Sequence, residues 1–384
     1  MLHRCRHVAS TRAASAPMPM MHRYLAPTGR ALALAVCLLG LRPTAWAQTQ
    51  PDSAAAASAE GDDFSAYGDA DAPATSYCTQ KVLYLSPTRL FSFGYEAQGP
   101  FQLKTTREGA ADADLSQTTD VSSLRGFRFQ TNTPVISRSN MILNVGLSYW
   151  NSTFDMAAAP AAGEDALTGT LRSRGLRTGG VQATLFKPLD NKHFIIAQAQ
   201  ADLSGNYLGF NELTGQQLTV SGTAIYGWKP SDNLMYGFGV TRTYRAGQVL
   251  HIPVILFNRT FNPRWGIEAI VPARAAVRYN FSPSSMLLAG YEIEGNAFYL
   301  PGAAAGQDLW LRRGELKPRI GYEQKLAGFV WLAVQAGVRY NWRFAAFDTQ
   351  NGADNDLKDN RGRIFNTDMG LPFYANVSLN LVSP

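Results

Sequence analysis

Two histidines, one cysteine and a run of carboxylates are the residue types in this chain that catalysis or metal binding would use. A Ser-His hydrolase needs its imidazole within reach of the hydroxyl whose proton it takes. His251 sits in VLHIPVILF with no Ser or Thr two residues away, and His193 stands in a turn. Asp354, Asp356 and Asp359 in DTQNGADNDLKDNRGR offer oxygens of the kind Ca²⁺ takes, but without EF-hand spacing or its closing Glu. That run reads as a solvated loop. Cys5 and Cys37 fall in the N-terminal leader, which leaves Cys78 alone, so no internal disulfide and no cysteine metal site can form. HExxH, CxxC, P-loop and dinucleotide motifs do not occur. The reading is therefore no enzyme, with no catalytic residue, no metal and no cofactor expected.

The chemistry the sequence does carry is charge placed at every second residue. Arg274 and Arg278 share one face of a strand, and Glu292 and Glu294 share one face of the next. Arg313, Glu315, Lys317, Arg319 and Glu323 line a third, and Arg339 and Arg343 a fourth. Opposed charges on neighbouring strands are what a pore uses to set ion preference. They are equally what a filled barrel uses as structural salt bridges. Arg125 and Arg177 depart from the alternation and mark bulges or register shifts.

Strands must position these charges. Met141, Leu143, Val145, Leu147 and Tyr149 alternate with Asn144, Gly146 and Ser148, and Leu234, Tyr236, Phe238 and Val240 with Gly237, Gly239 and Thr241. The same period of two runs to Phe373, Ala375, Val377, Leu379 and Leu381. A helix would scramble these sets. Fourteen strands are expected, at 88–98, 121–133, 141–153, 172–187, 193–205, 217–228, 234–245, 249–257, 264–271, 274–281, 286–299, 308–323, 329–344 and 371–382; twelve is the alternative count. Turn-rich connections such as WKPSDN and FSPSS alternate with long polar ones, 98–120, 154–170 and 345–369 among them. Short turns inside and long loops outside describe an antiparallel up-and-down barrel through an outer membrane.

Charge economics assign the faces. An Arg or Lys facing lipid near the midplane costs about 2–4 kcal/mol, so the charged set faces the lumen. Tryptophan supplies a second line, because amphipathic rings prefer the headgroup level. Trp150, Trp310 and Trp342 fall at the long-loop ends of their strands, and Trp228, Trp265 and Trp331 at the short-turn ends. All six are expected at the membrane interfaces.

Composition bounds the rest. The 384 residues are 46% hydrophobic and only 17% charged, below the quarter usual for globular domains. Mean hydropathy is -0.15, and no apolar run after the leader approaches the 18 residues of a membrane helix. The formal charge of +6 suggests nucleic acid until the leader is removed. Six of the 35 basic residues lie in it, which leaves 29 against 29 acidic, and no nucleic-acid partner is expected. Residues 1–47, with the apolar run Ala31–Leu41 before Ala45-Trp46-Ala47, have the layout of a signal peptide. Residues 48–86 begin with an Ala-, Ser- and Asp-rich stretch that lacks apolar surface, and read as a disordered acidic linker. Residues 87–384 form the barrel.

Two blocks, SSLRGFRFQTNTPVISRSNMILNVGLSYW (Ser122–Trp150) and IPVILFNRTFNPRWGIEAIVPARAAVRYNFSPSSMLLAGYEIEGNAFYL (Ile252–Leu300), carry a resemblance. Their layout is a Pro-apolar strand, an Asn-Pro turn, a Trp-led strand, a Pro and an Arg/Tyr strand. In this the chain resembles the uncharacterised outer-membrane β-barrel family of Gram-negative bacteria described only as a domain of unknown function. The resemblance covers about residues 85–382; it implies the fold and the location and supplies no catalytic residues. Many such barrels end in an aromatic residue read by the assembly machinery, whereas this sequence ends Leu381-Val382-Ser383-Pro384.

The functional expectation is a narrow channel or passive transporter for an unidentified small solute, with outer-membrane lipid and the barrel-assembly machinery as partners. The alternative is a non-conducting structural or interaction barrel acting through its surface loops. A lipid-modifying enzyme ranks third.

Overall fold

In the computed structural model, residues 76–108, 116–156, 163–304, 306–351 and 355–383 are described. The leader, the linker as far as residue 75 and Asp354 lie outside them.

The wall starts with β1 (Arg89–Gln98), β2 (Phe101–Arg107), β3 (Ser116–Thr131), β4 (Thr133–Arg138) and β5 (Met141–Met156). After α1 (Ala166–Arg174) come β6 (Leu176–Pro188), β7 (His193–Gly205), β8 (Leu218–Ser231), β9 (Leu234–Thr243), β10 (Leu250–Thr260), β11 (Trp265–Val271) and β12 (Arg274–Ser282). It ends with β13 (Ser285–Ala304), β14 (Gln307–Ala327), β15 (Val330–Val338), β16 (Tyr340–Phe347), β17 (Arg363–Asp368) and β18 (Phe373–Val382). Four neighbours in sequence, β1/β2, β3/β4, β15/β16 and β17/β18, are each one wall strand with a break. The ring therefore has fourteen antiparallel strands, the larger of the two expected counts. It closes where β1 pairs with β18 and β2 with β17.

Alternation holds around the ring. On β18 the pattern is strict, with Tyr374, Asn376, Ser378, Asn380 and Val382 buried and Phe373, Val377, Leu379 and Leu381 exposed. Phe93 and Tyr95, Leu147, Phe238 and Val240, and Ile320 and Tyr322 are exposed on the same outer surface. No aqueous monomer would bare such a belt. Outside the wall at the short-turn end, Trp228 sits among Tyr226, Tyr236 and Phe238, and Trp265 packs edge-on to Tyr279.

Three adjacent wall strands break at one level. Gly99-Pro100 separates β1 from β2, Met369–Pro372 separates β17 from β18, and Arg339 separates β15 from β16. The Gly99 amide donates to the Phe373 carbonyl (2.9 Å) and the Arg339 amide to the Pro372 carbonyl (3.0 Å), which ties the breaks together. Pro100 and Pro372 lack the N–H that an unbroken ladder needs, and Gly370 takes φ +62°. At this level the pairing of β14 with β16 slips by one residue, between Gly314 and Glu315.

Two apolar clusters fill the barrel ends. At the long-loop end β13 loses its β12 partner after Glu292 and runs on with β14, until Tyr299 meets Gly205 of β7. Phe298, Leu300, Leu309 and Leu311 of that hairpin pack with Leu167 and Leu171 of α1 and with wall residues Leu124, Phe154 and Phe344. The helix starts where the Asp165 carboxylate accepts the Thr168 amide at 2.9 Å. It stops at Gly175, whose φ of +63° suits a residue without Cβ.

At the short-turn end residues 76–88 form a strap against the barrel. Cys78 and Val82 are buried with Phe186, Phe194, Ile225, Met235, Val254 and Leu256. The linker boundary expected at residue 86 is thus too late. Residues 76–86 belong to the barrel, because Cys78, Val82 and Leu85 supply apolar surface that the stretch before them lacks.

Candidate functional site

The charges expected on the lumen face form a band between the two apolar ends, and its hub is a residue that the sequence reading passed over. Glu96 of β1 pairs with Lys317 Nζ (2.8 Å) and Arg128 (3.4 Å), and accepts a hydrogen bond from Arg339. Glu294 pairs with Arg128 (2.7 Å) and Lys317 (3.2 Å). Glu315 Oε2 is shared by Arg313 (2.8 Å) and Arg339 (3.3 Å), and Arg319 pairs with Glu292 (2.5 Å). Wall strands far apart in sequence, β1, β3, β13 and β14, meet here with the β15/β16 break.

Burial explains why the ions are laced together. Arg339, Lys317, Glu315, Arg313 and Glu96 are each at most 5% exposed. An unpaired ion in such a place costs several kcal/mol, so the carboxylates must be shared among neighbouring cations. Trp150 adds a ring face near Arg128 (5.9 Å) and Arg313 (5.5 Å), and Tyr374 one near Lys317 (4.5 Å) and Arg339 (5.5 Å).

The remaining expected ladder residues make no ion pair with the network among the described residues. Arg278 is fully buried against Glu268 (3.2 Å) and the Thr260 hydroxyl (3.1 Å). Gly266 stands opposite Arg278 in the ladder, and a Cβ there would lie 2.2 Å from the guanidinium, so glycine makes the room. Glu323 pairs with Arg89 near the short turns. Arg274 is exposed on the lumen face, across from Glu292 in the register, and makes no ion pair among the described residues.

Arg343 corrects the expectation. The slip between Gly314 and Glu315 puts it opposite Gly314, on the face away from the lumen. There it donates to Gln248 and to the Leu357 carbonyl. A one-residue slip turns every later side chain over, and no residue type in YNWRF announces it. The tryptophans divide for related reasons. Trp228 and Trp265 lie on the outer face among other aromatic rings. Trp331 is turned in, buried with Met286 and Val382, and Trp150 packs inward on Phe298 (5.6 Å). Trp310 packs at a tilt against Tyr299 on the hairpin beyond β12, and Trp342 lies at the register slip of β16, beside Gly314. Arg125 pairs with Asp155 on the exposed surface, and Arg177 donates to the carbonyls of Arg174 and Tyr207.

Glu96 and Arg128 were legible in principle. Ser92, Gly94, Glu96 and Gln98 alternate with Phe91, Phe93 and Tyr95, as Arg128 does with Phe127 and Phe129. Across the lumen the wall is neutral or nearly so, with Gln182 near Gln198 (3.4 Å), Thr223 near Thr241 (2.8 Å) and Asp202 held by Gln200. His193 bonds Asp190 (2.7 Å) in a turn, and His251 is exposed on the outer face. Among the described residues no group of His, Cys, Asp and Glu is arranged to hold a metal.

A family model described as Domain of unknown function (DUF6268) matches residues 96–378. No curated protein matches. Among solved structures, the chain is similar to a Pseudomonas aeruginosa FadL homologue at 9% identity and TM-score 0.36, over 77% of this chain and 90% of that one. It is similar to the COG4313 outer membrane channel from Pseudomonas putida F1 at 11% identity and TM-score 0.34, over 78% and 97%. The Pseudomonas putida toluene transporter TodX matches at 10% identity and TM-score 0.30, over 80% and 95%.

Proposed function

Because the chain belongs to the family described as Domain of unknown function (DUF6268), whose description assigns no activity, we propose its function from the geometry: an outer-membrane barrel that passes small polar or charged solutes through a narrow, gated lumen. The apolar belt outside the wall supports the membrane setting, since water would penalise it and lipid does not. The observation that carries the channel reading is the division of the lumen wall. One side holds the ion-paired band from Glu96 to Arg339, and the other holds Gln and Thr with Asp202 held by Gln200. A band of fixed charge facing a neutral polar wall gives a hydrated path in which ions and dipoles are sorted.

Gating follows from the ends. The strap and the hairpin-and-α1 cluster each place apolar side chains in the route that a solute would take, so passage requires one of them to move. A second reading, a non-conducting barrel, is favoured by the same dense ion pairing and is separated by one experiment. The refolded mature protein is inserted in a planar bilayer and compared with Val82→Asp, which puts a charge in the strap's buried contact. We expect brief conductance steps in the parent and more frequent ones in the variant. Arg274→Glu, on the lumen face and outside the ion network, is expected to shift ion preference toward cations. Silence from all three, with folding and insertion shown, would leave the non-conducting barrel standing.

A further inference from the structure

The charge band is not balanced, and its surplus is aimed at one place. Arg128, Arg313, Lys317, Arg319 and Arg339 share the carboxylates of Glu96, Glu292, Glu294 and Glu315, which leaves one cation in excess. Arg313 and Arg339 both clasp Glu315 Oε2, so their guanidinium groups are adjacent. Each keeps a buried Nη1 with no hydrogen-bond partner among the described residues.

Other buried polar atoms on neighbouring wall strands also have no hydrogen-bond partner among the described residues. Among the described residues, Gln98, 2% exposed, has neither its Oε1 nor its Nε2 bonded, and Tyr374, 3% exposed, has no partner for its hydroxyl. Gln98 and Tyr374 are opposite each other in the β1–β18 register, and the Tyr374 ring lies 5.5 Å from the Arg339 guanidinium. The Asn341 amide is unpartnered too, across from Glu315 in the β14–β16 register. All of this sits at the level where the wall strands break. Buried polar groups left without partners are rare and costly. Here four side chains on three adjacent wall strands, with Arg313 on the next, leave polar atoms unpartnered among the described residues at the level of the break and beside the surplus positive charge.

We propose that this cluster of Gln98, Arg313, Arg339, Asn341 and Tyr374 is an oxyanion-binding station in the lumen, which takes a small carboxylate or inorganic oxyanion. The assignment rests on the channel reading for its role as a stage in transport, but not for binding itself. Two adjacent guanidinium groups match a two-oxygen group, and charge-assisted hydrogen bonds of this kind are the strong ones. The hydroxyl of Tyr374 and the amides of Gln98 and Asn341 complete the shell as donors. A neutral solute would leave the excess cation uncompensated, and a cation would add to it.

The test is calorimetric titration of sodium phosphate and of sodium succinate into the folded mature barrel in micelles, at fixed ionic strength. Saturable heat from either salt is expected, and the tighter of the two tells an inorganic oxyanion from an organic carboxylate. Gln98→Glu places a carboxylate against the same donors, so it is expected to weaken binding about tenfold or more while raising the melting temperature. Tyr374→Phe removes one donor and is expected to weaken binding several-fold at an unchanged melting temperature. Absence of saturable heat from both salts, or undiminished binding in a folded Gln98→Glu, would overturn the proposal. Binding in a barrel that does not conduct would uphold it and sink the channel reading. Cation-preferring conductance without binding would do the reverse.

Discussion

The two ends of this barrel are closed by apolar clusters built in opposite ways. At the long-loop end the stopper is made of the wall itself. β13 runs past β12 while still paired with β14, meets β7, and the hairpin packs Phe298, Leu300, Leu309 and Leu311 with α1. At the short-turn end the stopper is a single chain segment laid against the rim. Its backbone is held at separate points, by Asp190 to Cys78, Asp232 to Leu83, Lys229 to Lys81 and Thr260 to Leu83. Removing the first means breaking the sheet. Removing the second means breaking a set of side-chain and turn hydrogen bonds, each worth about 0.5–1.5 kcal/mol net. The difference assigns permanence to one end and release to the other.

The largest expected effect falls at the permanent end. Phe298→Ala removes a fully buried ring from the hairpin stopper, and should lower barrel stability by about 3–5 kcal/mol. Urea unfolding in lipid vesicles reads this directly. A loss below about 1 kcal/mol would mean that the hairpin is not part of the wall's core.

At the releasable end the effect should be local. Val82 is 4% exposed in the strap's contact, and Val82→Asp should free residues 76–88 while leaving the barrel's unfolding midpoint nearly unchanged. Cys78 reports the event, since burial pushes its thiol pKa up and leaves it slow to react. Maleimide labelling of Cys78 should be at least about tenfold faster in the variant, the factor that about 1.4 kcal/mol of lost strap contact gives. Equal rates, or a barrel that unfolds with its strap, would erase the distinction between the two ends.

The smallest effect concerns the anchor of the strap in acid. In the turn after β6 the Asp190 carboxylate accepts the Lys192 amide, and the His193 side chain and amide, which depress its pKa to about 2. A depressed acid contributes stability above its ordinary value near 3.8, and that contribution is lost as pH falls through about 2. The turn that receives the Cys78 amide should therefore stay intact to about pH 3. A carbon-13 titration of Asp190 should show its midpoint near 2, and a midpoint near 4 would mean that the carboxylate does not hold the turn.

Much of this architecture could be read along the chain. Period-two patterning in stretches such as Met141–Tyr149 and Phe373–Leu381 fixed strands and their two faces, because a pleated strand sends neighbours to opposite sides. The cost of a lipid-facing Arg or Lys put Arg278, Lys317 and Arg339 on the inner face, and all three side chains are buried. The alternation of short turns with long loops made an even ring of strands. What the chain could not express is pairing across the lumen. Glu96 and Lys317 are 221 residues apart and Arg339 and Glu96 243, and their contact exists only because β1 closes on β18.

The same limit explains the misplaced residues. Arg343 sits at the spacing of a lumen residue, but a break at Arg339 and a one-residue slip against β14 turned it outward. Trp331 sits near a strand end, whereas β5 runs on to Met156 and leaves Trp150 within it; for both, alternation rather than position along the strand decides between lipid and lumen. Local sequence determined which segments are strands and which of their faces is polar, because both follow from the nearest covalent geometry. The tertiary structure alone decided which charges share a carboxylate, where the wall slips register and which ends are shut, because each depends on closing a ring of strands whose partners the chain does not hold side by side.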